Sequence, residues 1–134
     1  METKVRDVMT DRSLGVSPNA TVVEAAQLMT REEVDALPVL DGEELAGIVT
    51  ERDIVRRAIA EKKDPREMRV REVWSRDVVR VRAGDDLAAI LEHMAGRLVL
   101  PVVDERNRLL GVLTQRDVAQ AAKEEEALRR RNHC

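Results

Sequence analysis

Phenylalanine and tyrosine are absent from this chain, and Trp74 is its single aromatic residue. Any core must therefore be aliphatic, packed from Val, Leu, Ile, Ala and Met. The same lack removes the stacking platforms on which single-stranded nucleic acids are held. Cysteine is nearly absent too: Cys134 stands alone at the last position, so no internal disulfide can form and a reducing compartment suits the fold. Neither charge sign predominates, with 23 basic against 26 acidic residues, which leaves no basic footprint for nucleic acid. No apolar run approaches the roughly 18 residues of a membrane span, and Met1-Glu2-Thr3-Lys4 lacks the apolar character of a signal peptide. The expectation is a soluble, cytoplasmic protein that engages neither membrane nor nucleic acid.

What the chain carries instead is a duplicated pattern. Gly47-Ile48-Val49-Thr50-Glu51-Arg52-Asp53 returns as Gly111-Val112-Leu113-Thr114-Gln115-Arg116-Asp117, Val5-Arg6-Asp7-Val8 as Val70-Arg71-Glu72-Val73, Met29 as Met94, and Pro38-Val39 as Pro101-Val102. The offset is 65 residues from Val8 to Val73, 63 from Pro38 to Pro101 and 64 from Gly47 to Gly111, so only short loops differ in length. A repeat of this kind governs the whole fold. Two units are expected, over 1–64 and 65–134, the second carrying a C-terminal helical extension. Units this small have much surface for their volume, and neither is expected to be stable without burying a face against the other.

Within unit one, Val22, Ala25, Ala26 and Met29 follow i, i+3, i+4, i+7 and predict a helix with one buried stripe. Thr21 and Glu24 form a capping box at its start. Ala36 to Leu40 and Leu45 to Val49 predict strands joined through Asp41-Gly42, a hairpin dipeptide. A second helix is predicted after Thr50, burying Ile54, Val55, Ala58 and Ile59. Unit two repeats this order: a stripe of Leu87, Ile90, Leu91 and Met94, strands at Leu98 to Val103 and Leu109 to Leu113, and a last helix beginning with Val118, Ala121 and Ala122. Short extended segments at Leu14 to Val16 and Val78 to Val81 precede the helices. Glu61 to Arg69 is the linker, with Pro65 expected to stop the helix before it. Glu125 with Arg129 and Glu126 with Arg130 are i, i+4 pairs that extend the final helix beyond the core.

Functional chemistry is expected where strand passes into helix. Gly47 and Gly111 admit close approach by a ligand or by neighbouring backbone, and the helix start that follows offers unpaired amides with partial positive charge. Thr50 and Thr114 can donate a hydroxyl proton to a phosphate oxygen while accepting from the helix backbone. Asp53 and Asp117, acceptor-only when ionised, suit the two hydroxyls of a ribose. Arg52 and Arg116 add positive charge for a polyphosphate. The same Thr-x-x-Asp pattern is also a helix cap, and from the residues alone the two readings stand level.

At these residues the chain resembles the CBS domain family, named for cystathionine beta-synthase, in which two tandem units pack into a Bateman module. The resemblance runs from Val5 to Ala122 and rests on Val8-Met9-Thr10, Leu37-Pro38-Val39, Val102-Val103-Asp104 and the two Gly-to-Asp heptads. It implies an α+β fold of two repeats, each a small sheet flanked by helices, related by pseudo-twofold symmetry. It also implies a regulatory module that binds an adenosine-containing ligand (AMP, ADP or ATP, or S-adenosylmethionine or NAD) between the repeats, with no cofactor required. By that analogy Thr50 and Thr114 face phosphate or ribose, and Asp53 and Asp117 hold the ribose. The adenine lies near Val16, Ala36, Leu37, Pro38 and Val39, or near Val81, Val99, Leu100, Pro101 and Val102. A homodimer follows, with Ile54, Ala58 and Val118 as its self-complementary faces, and so does an effector protein that this sequence does not identify.

Unequal sites are expected, because Met29 to Pro38 spans nine positions and Met94 to Pro101 only seven, with Gly96 in the shortened stretch, and Arg82 stands where unit one has Ser17. Enzymatic activity is not expected. His93 reads as a helix-surface residue, His133 and Cys134 lie in the tail, and no carboxylate pair has the spacing of an acid and base couple. The alternative to a ligand sensor is a protein-interaction module whose clefts stay empty; a third reading, a nucleic-acid-binding accessory, is disfavoured by the near-neutral charge balance.

Overall fold

The structure, a computed structural model, describes residues 3–11, 14–97 and 99–132. Its elements run α1 (Val22–Glu32), β1 (Ala36–Asp41), β2 (Glu44–Thr50), α2 (Glu51–Ile54, continuing as a π-helical turn over Val55–Ile59), β3 (Val81–Arg82), α3 (Leu87–Ile90, continuing as a 3-10 turn over Leu91–Met94), β4 (Val99–Val103), β5 (Leu109–Thr114) and α4 (Gln115–Arg131). The expected order of helix, two strands and helix is present in both units, with strand limits within a residue of those read from the sequence; Leu98 lies outside the described residues.

Each hairpin is antiparallel, and matching residues occupy matching registers: Pro38 opposes Ile48 as Pro101 opposes Val112, and Val39 opposes Gly47 as Val102 opposes Gly111. Both ladders slip by one residue near the turn, after Val39 and after Val102. The extended segment before each first helix adds a parallel edge, as a single bridge from Val16 to Val39 in unit one and as β3 along β4 in unit two. Gly42 takes a left-handed φ of 66° in the first hairpin turn, as its Asp-Gly dipeptide implies, while Asn107 supplies φ 63° in the second. These two turns meet: Leu45 N–H donates to the Asn107 carbonyl at 3.0 Å, and the Asn107 side-chain amide donates to the Leu45 carbonyl at 2.9 Å.

The two cores do not follow the linear halves of the chain. One core is built from Val16, Val22, Ala25, Met29, Leu37, Val39, Val49, Ile54 and Ala58 together with Met68, Val70 and Val73, which follow the linker. The other holds Val81, Ile90, Met94, Leu100, Val102 and Leu113 together with Val5 from the start of the chain. Two 3-10 turns make this exchange, Val5–Asp7 and Val70–Glu72. Val5 N–H donates to the Asp85 carbonyl at 2.9 Å, and Val70 N–H donates to the Ala20 carbonyl at 2.8 Å. Each unit thus lends its opening segment to its neighbour, giving a physical form to the expectation that small units need one another.

Four sequence expectations require correction. Val55 and Ile59 are 57% and 56% exposed. The helix widens to i→i+5 bonding there, with Ala60 N–H on the Val55 carbonyl at 2.8 Å, and only Ile54 and Ala58 face the core. Ala58, fully buried, is consequently unavailable as a dimer face, and Ile54 keeps only an edge on the groove beside α1. The stripe of unit two is not one α-helix: α3 makes a single α-turn before tightening, and Leu91 faces outward. Asp86 stands at its N-cap, yet no side-chain cap bond forms and the Asp86 carboxylate pairs with the Lys4 ammonium, whereas Thr21 and Glu24 close a full capping box on the eleven-residue α1. Finally, Pro65 does not stop the preceding helix. Lys62, at φ 60°, turns the chain first, and Lys63 N–H closes on the Ala58 carbonyl at 3.0 Å.

Candidate functional site

Both Thr-x-x-Asp motifs fold as reciprocal helix caps. In unit one Asp53 N–H donates to Thr50 Oγ1 at 3.1 Å and Thr50 N–H donates to Asp53 Oδ2 at 3.0 Å. In unit two Asp117 N–H donates to Thr114 Oγ1 at 3.1 Å and Thr114 N–H to Asp117 Oδ2 at 3.0 Å. The capping reading is therefore realised at both sites. It does not exhaust the groups involved, since a hydroxyl that accepts one bond still has a proton to donate, and a carboxylate has a second oxygen. Asp53 Oδ1 has no hydrogen-bond partner among the described residues.

The paired glycines serve the exchanged segments. A Cβ on Gly47 would lie 2.6 Å from the Ser75 carbonyl oxygen and 2.7 Å from Trp74 Cε3, and one on Gly111 would lie 2.4 Å from the Thr10 carbonyl oxygen. Ser75 pairs with Ile48, and Thr10 with Val112, through two backbone hydrogen bonds each. Of the two visitors that these glycines admit, neighbouring backbone is the one in place. The opening segments thereby reach the strand ends, where the threonines begin their helices.

A cleft of about 240 Å³ opens at the first of these junctions. Unit one contributes Ala36, Ile48, Thr50 and Arg52, and unit two contributes Asp77, Val78, Val79, Gly96, Arg97 and Val99. Aliphatic side chains line its walls. Two guanidinium groups against the single Asp77 carboxylate give its lining an excess of one positive charge. Gly96 and Arg97 belong to the shortened stretch of unit two, so the contraction seen in the sequence forms part of this wall. Gln115 fixes that stretch by donating from Nε2 to the Arg97 carbonyl at 2.8 Å.

Of the residues singled out in the sequence, Ala36, Thr50, Arg52 and Val99 line this cleft. Asp53 is half-buried one helical turn further on and does not line it. Val16, Leu37, Val39, Val81, Leu100 and Val102 point into the two cores, and Pro38 and Pro101 are buried in their strands. Ile48, Asp77, Val78, Val79 and Arg97 were not singled out. Their signal was the repeat itself, because a cleft between units must draw on the opening segment of the second.

The second junction differs. Thr114 and Asp117 are half-buried and Arg116 is exposed. Here the Thr10 hydroxyl sits 3.2 Å from both oxygens of Asp117, so this carboxylate already accepts from the opening segment. Ser75, the counterpart of Thr10, makes no such bond to Asp53. Arg82 does not reach either junction; it borders a depression of about 480 Å³ with Arg106, Arg108 and Asp104 beside the β4–β5 turn. Among the described residues no group of three His, Cys, Asp or Glu side chains is placed to hold a metal, and no helix is long and apolar enough to cross a membrane. His133 and Cys134 lie outside the described residues.

The family model for the CBS domain matches this chain twice, over residues 5–60 and 70–124. The chain belongs to the CBS domain family. The CBS domain-containing protein YhcV of Bacillus subtilis is 38% identical over 117 residues, covering 86% of this chain and 82% of its own. Inosine-5'-monophosphate dehydrogenase of Methanocaldococcus jannaschii is 37% identical over 131 residues, covering 96% of this chain but 24% of the enzyme. The match to that enzyme thus spans about a quarter of its length. Among solved structures, the CBS domain pair of protein MJ0100, in complex with 5'-methylthioadenosine and S-adenosyl-L-methionine, superimposes with a TM-score of 0.79 at 25% identity, covering 89% of this chain and 98% of that one. The α+β fold of two CBS repeats inferred from the sequence is the fold observed.

Proposed function

We propose that this CBS pair is a regulatory module, not an enzyme, that binds an adenosine nucleotide or related adenosyl ligand in the cleft between its repeats. The observation that carries the reading is the cleft at Thr50. It joins both repeats, its walls are aliphatic, and its polar edge presents a hydroxyl and two guanidinium groups. An adenine ring needs flat apolar surface, supplied here by Ala36, Ile48, Val78, Val79 and Val99 in a chain with almost no aromatic residues. Thr50 retains a proton for a phosphate or ribose oxygen, and Arg52 and Arg97 offer charge-assisted bonds to phosphate. Asp53 does not line this cleft, so its free Oδ1 accepts from a ribose hydroxyl only where the sugar extends past Thr50 toward the start of α2. The cleft is smaller than the roughly 300 Å³ at which ligand pockets usually begin, which suits a base and part of a sugar with the phosphates at the mouth. The adenosyl ligands held by the CBS pair of MJ0100 support the same chemistry. Thr114, Asp117 and Arg116 form the weaker second site, because Thr10 already occupies Asp117.

Binding bridges the repeats, and a change in their packing is what an effector protein reads. The module acts as a homodimer. Val55 and Ile59 support this, together with the apolar groove of about 460 Å³ between α1 and α2, which Val22, Val23, Ala26, Ile59 and Pro65 help to line. We assign it to the cytoplasm, since its cores contain no cysteine and need no disulfide.

Calorimetry and thermal shift with AMP, ATP, S-adenosylmethionine and NADH test the proposal. A ligand at a hundred times its Kd stabilises the native state by about 2.7 kcal/mol, and Thr50→Val is expected to abolish most of that gain. If no adenosine compound binds at millimolar concentration, the chain is instead an interaction module whose threonines and aspartates only cap helices.

A further inference from the structure

The opening segment of each unit docks against the strand that ends at Thr50 or Thr114, and the two dockings share their backbone bonds. Ser75 exchanges two with Ile48, each at 2.9 Å, and Thr10 exchanges two with Val112, at 2.8 and 3.0 Å. Their hydroxyls part company. Thr10 Oγ1 lies 3.2 Å from Oδ1 and from Oδ2 of Asp117, whereas among the described residues the Ser75 hydroxyl makes no bond to Asp53. Docking alone does not require the bond from Thr10 to Asp117, since unit one docks without its equivalent.

The bond changes what Asp117 has left to offer. Oδ2 accepts from the Thr114 amide at 3.0 Å, and Thr10 shares its one hydroxyl proton across both oxygens, so neither oxygen is without a partner. Asp53 differs, with Oδ2 on the Thr50 amide and Oδ1 left over. A hydroxyl donor on that carboxylate is the group that a ribose would bring, and Thr10 brings it from within the chain. Thr10 and Asp117 are both half-buried, so water competes with their bond only in part.

We infer that Thr10 is a gate on the second junction: its hydroxyl occupies the ribose-binding carboxylate of Asp117, so an adenosine ligand fills the first junction alone until the Thr10 side chain rotates away. The inference rests on the proposed adenosine-binding reading and adds to it the order in which the junctions fill and the residue that sets that order. Because the backbone of Thr10 stays bonded to Val112 when the side chain turns, opening the gate leaves the exchange of segments intact. A hydrogen bond to a charged group must be given up, which lowers the affinity of the second junction roughly tenfold or more.

Titration calorimetry of the full chain, with AMP, ATP and S-adenosylmethionine as separate probes, reads the gate as stoichiometry. Wild type is expected to show one strong event per chain. Thr10→Val keeps the shape and the backbone bonds but has no proton to donate, and should show a second event, or a weak one tightened about tenfold. Thr10→Ser restores the donor and should return to the wild-type pattern. Adding Asp117→Asn to Thr10→Val keeps a helix cap and should weaken the second event again, which places it at Asp117. Should Thr10→Val not fold, as circular dichroism reports, Thr10→Ala makes the same comparison. Two equal events in wild type, a Thr10→Val chain that titrates as wild type does, a Thr10→Ser chain that behaves as Thr10→Val, or a second event indifferent to Asp117→Asn overturns the gate while the adenosine-binding reading stands. If none of the three probes binds wild type or any variant at millimolar concentration, the reading and the gate fall together.

Discussion

Substituting Gly111 by Ala places one methyl group where the Thr10 carbonyl oxygen already lies, 2.4 Å from the new carbon. The obstructing atom is backbone, so no rotamer change relieves it, and the opening segment must move. Two backbone hydrogen bonds go with it, Thr10 N–H to the Val112 carbonyl at 2.8 Å and Val112 N–H to the Thr10 carbonyl at 3.0 Å, and so do the contacts of the Thr10 hydroxyl with Asp117. At about 0.5–1.5 kcal/mol for each hydrogen bond and about 1–3 kcal/mol for overpacking, the expected loss is about 2–6 kcal/mol. That is a large part of the 5–15 kcal/mol typical of a domain. Urea unfolding followed by the circular dichroism of the helices measures it, with Gly42→Ala as control. Gly42 has a φ of 66° but nothing within 4 Å of an added Cβ, so its replacement incurs only left-handed backbone strain of about 1–2 kcal/mol. A Gly111→Ala protein less than 1 kcal/mol below wild type, or no worse than the Gly42 variant, would refute the docking of the opening segment against β5.

Gly47→Ala should behave like Gly111→Ala and should also perturb Trp74 fluorescence, because the added Cβ lies 2.7 Å from the indole Cε3; an unchanged emission spectrum counts against this contact. Met68→Ala, deep in the first core, should cost about 2–5 kcal/mol in the same unfolding assay, and a cost below 1 kcal/mol would mean that the exchanged segment packs loosely. The carboxyl of Asp104 is held below its ordinary value of 3.8, first by the backbone N–H of Arg108 and then by the Arg108 side chain and the Arg106 amide. A depressed carboxylate contributes stability that is full above about pH 4 and is lost as pH falls through its lower folded value. Wild type should therefore exceed Asp104→Asn at neutral pH, with the difference shrinking below pH 4 in acid titrations of stability; a difference that does not change with pH would contradict the assignment.

Much of this architecture was legible because a repeat gives every element two independent readings. The hairpins, the Thr21 cap and the two strand-to-helix junctions follow from short-range rules, and their registers match between units. What escaped the sequence was of two kinds. Val55 and Ile59 look like core positions when a period of 3.6 is assumed, and nothing local announces the i→i+5 turn that leaves them outside. The exchange of opening segments is the other: Val5 and Val70 read as beginnings of their own units, yet each is buried in the opposite one. Gly47 and Gly111 held that information in the clearest form, since their lack of a side chain reports close approach without saying by what. The cleft was half legible for the same reason, its first-unit wall appearing in the heptad while Val78, Val79 and Arg97 needed the fold.

The exchange also bears on how a ligand in the cleft can be felt elsewhere. Thr50 starts α2, and two residues along β2 Ile48 pairs with Ser75, so the strand that ends at the cleft is bonded to the opening segment of unit two at 2.9 Å in both directions. Arg57, on the same helical run as Arg52, donates to the carbonyls of Val73 and Trp74 at 3.3 and 3.1 Å. From Trp74 the chain continues through Asp77 to Val79, which form the far wall of the cleft. Three contacts thus close a loop in which the helix start, the strand and the opposing wall cannot shift independently. A ligand can alter this loop only by the difference in its affinity for two arrangements, and both of its anchored ends, α2 and residues 73–75, belong to the first core, which the chain leaves after Asp77 to enter the second at Val81. On the proposed reading, a ligand seated between Thr50 and Val78–Val79 would act on the stretch where the chain passes from the first core into the second.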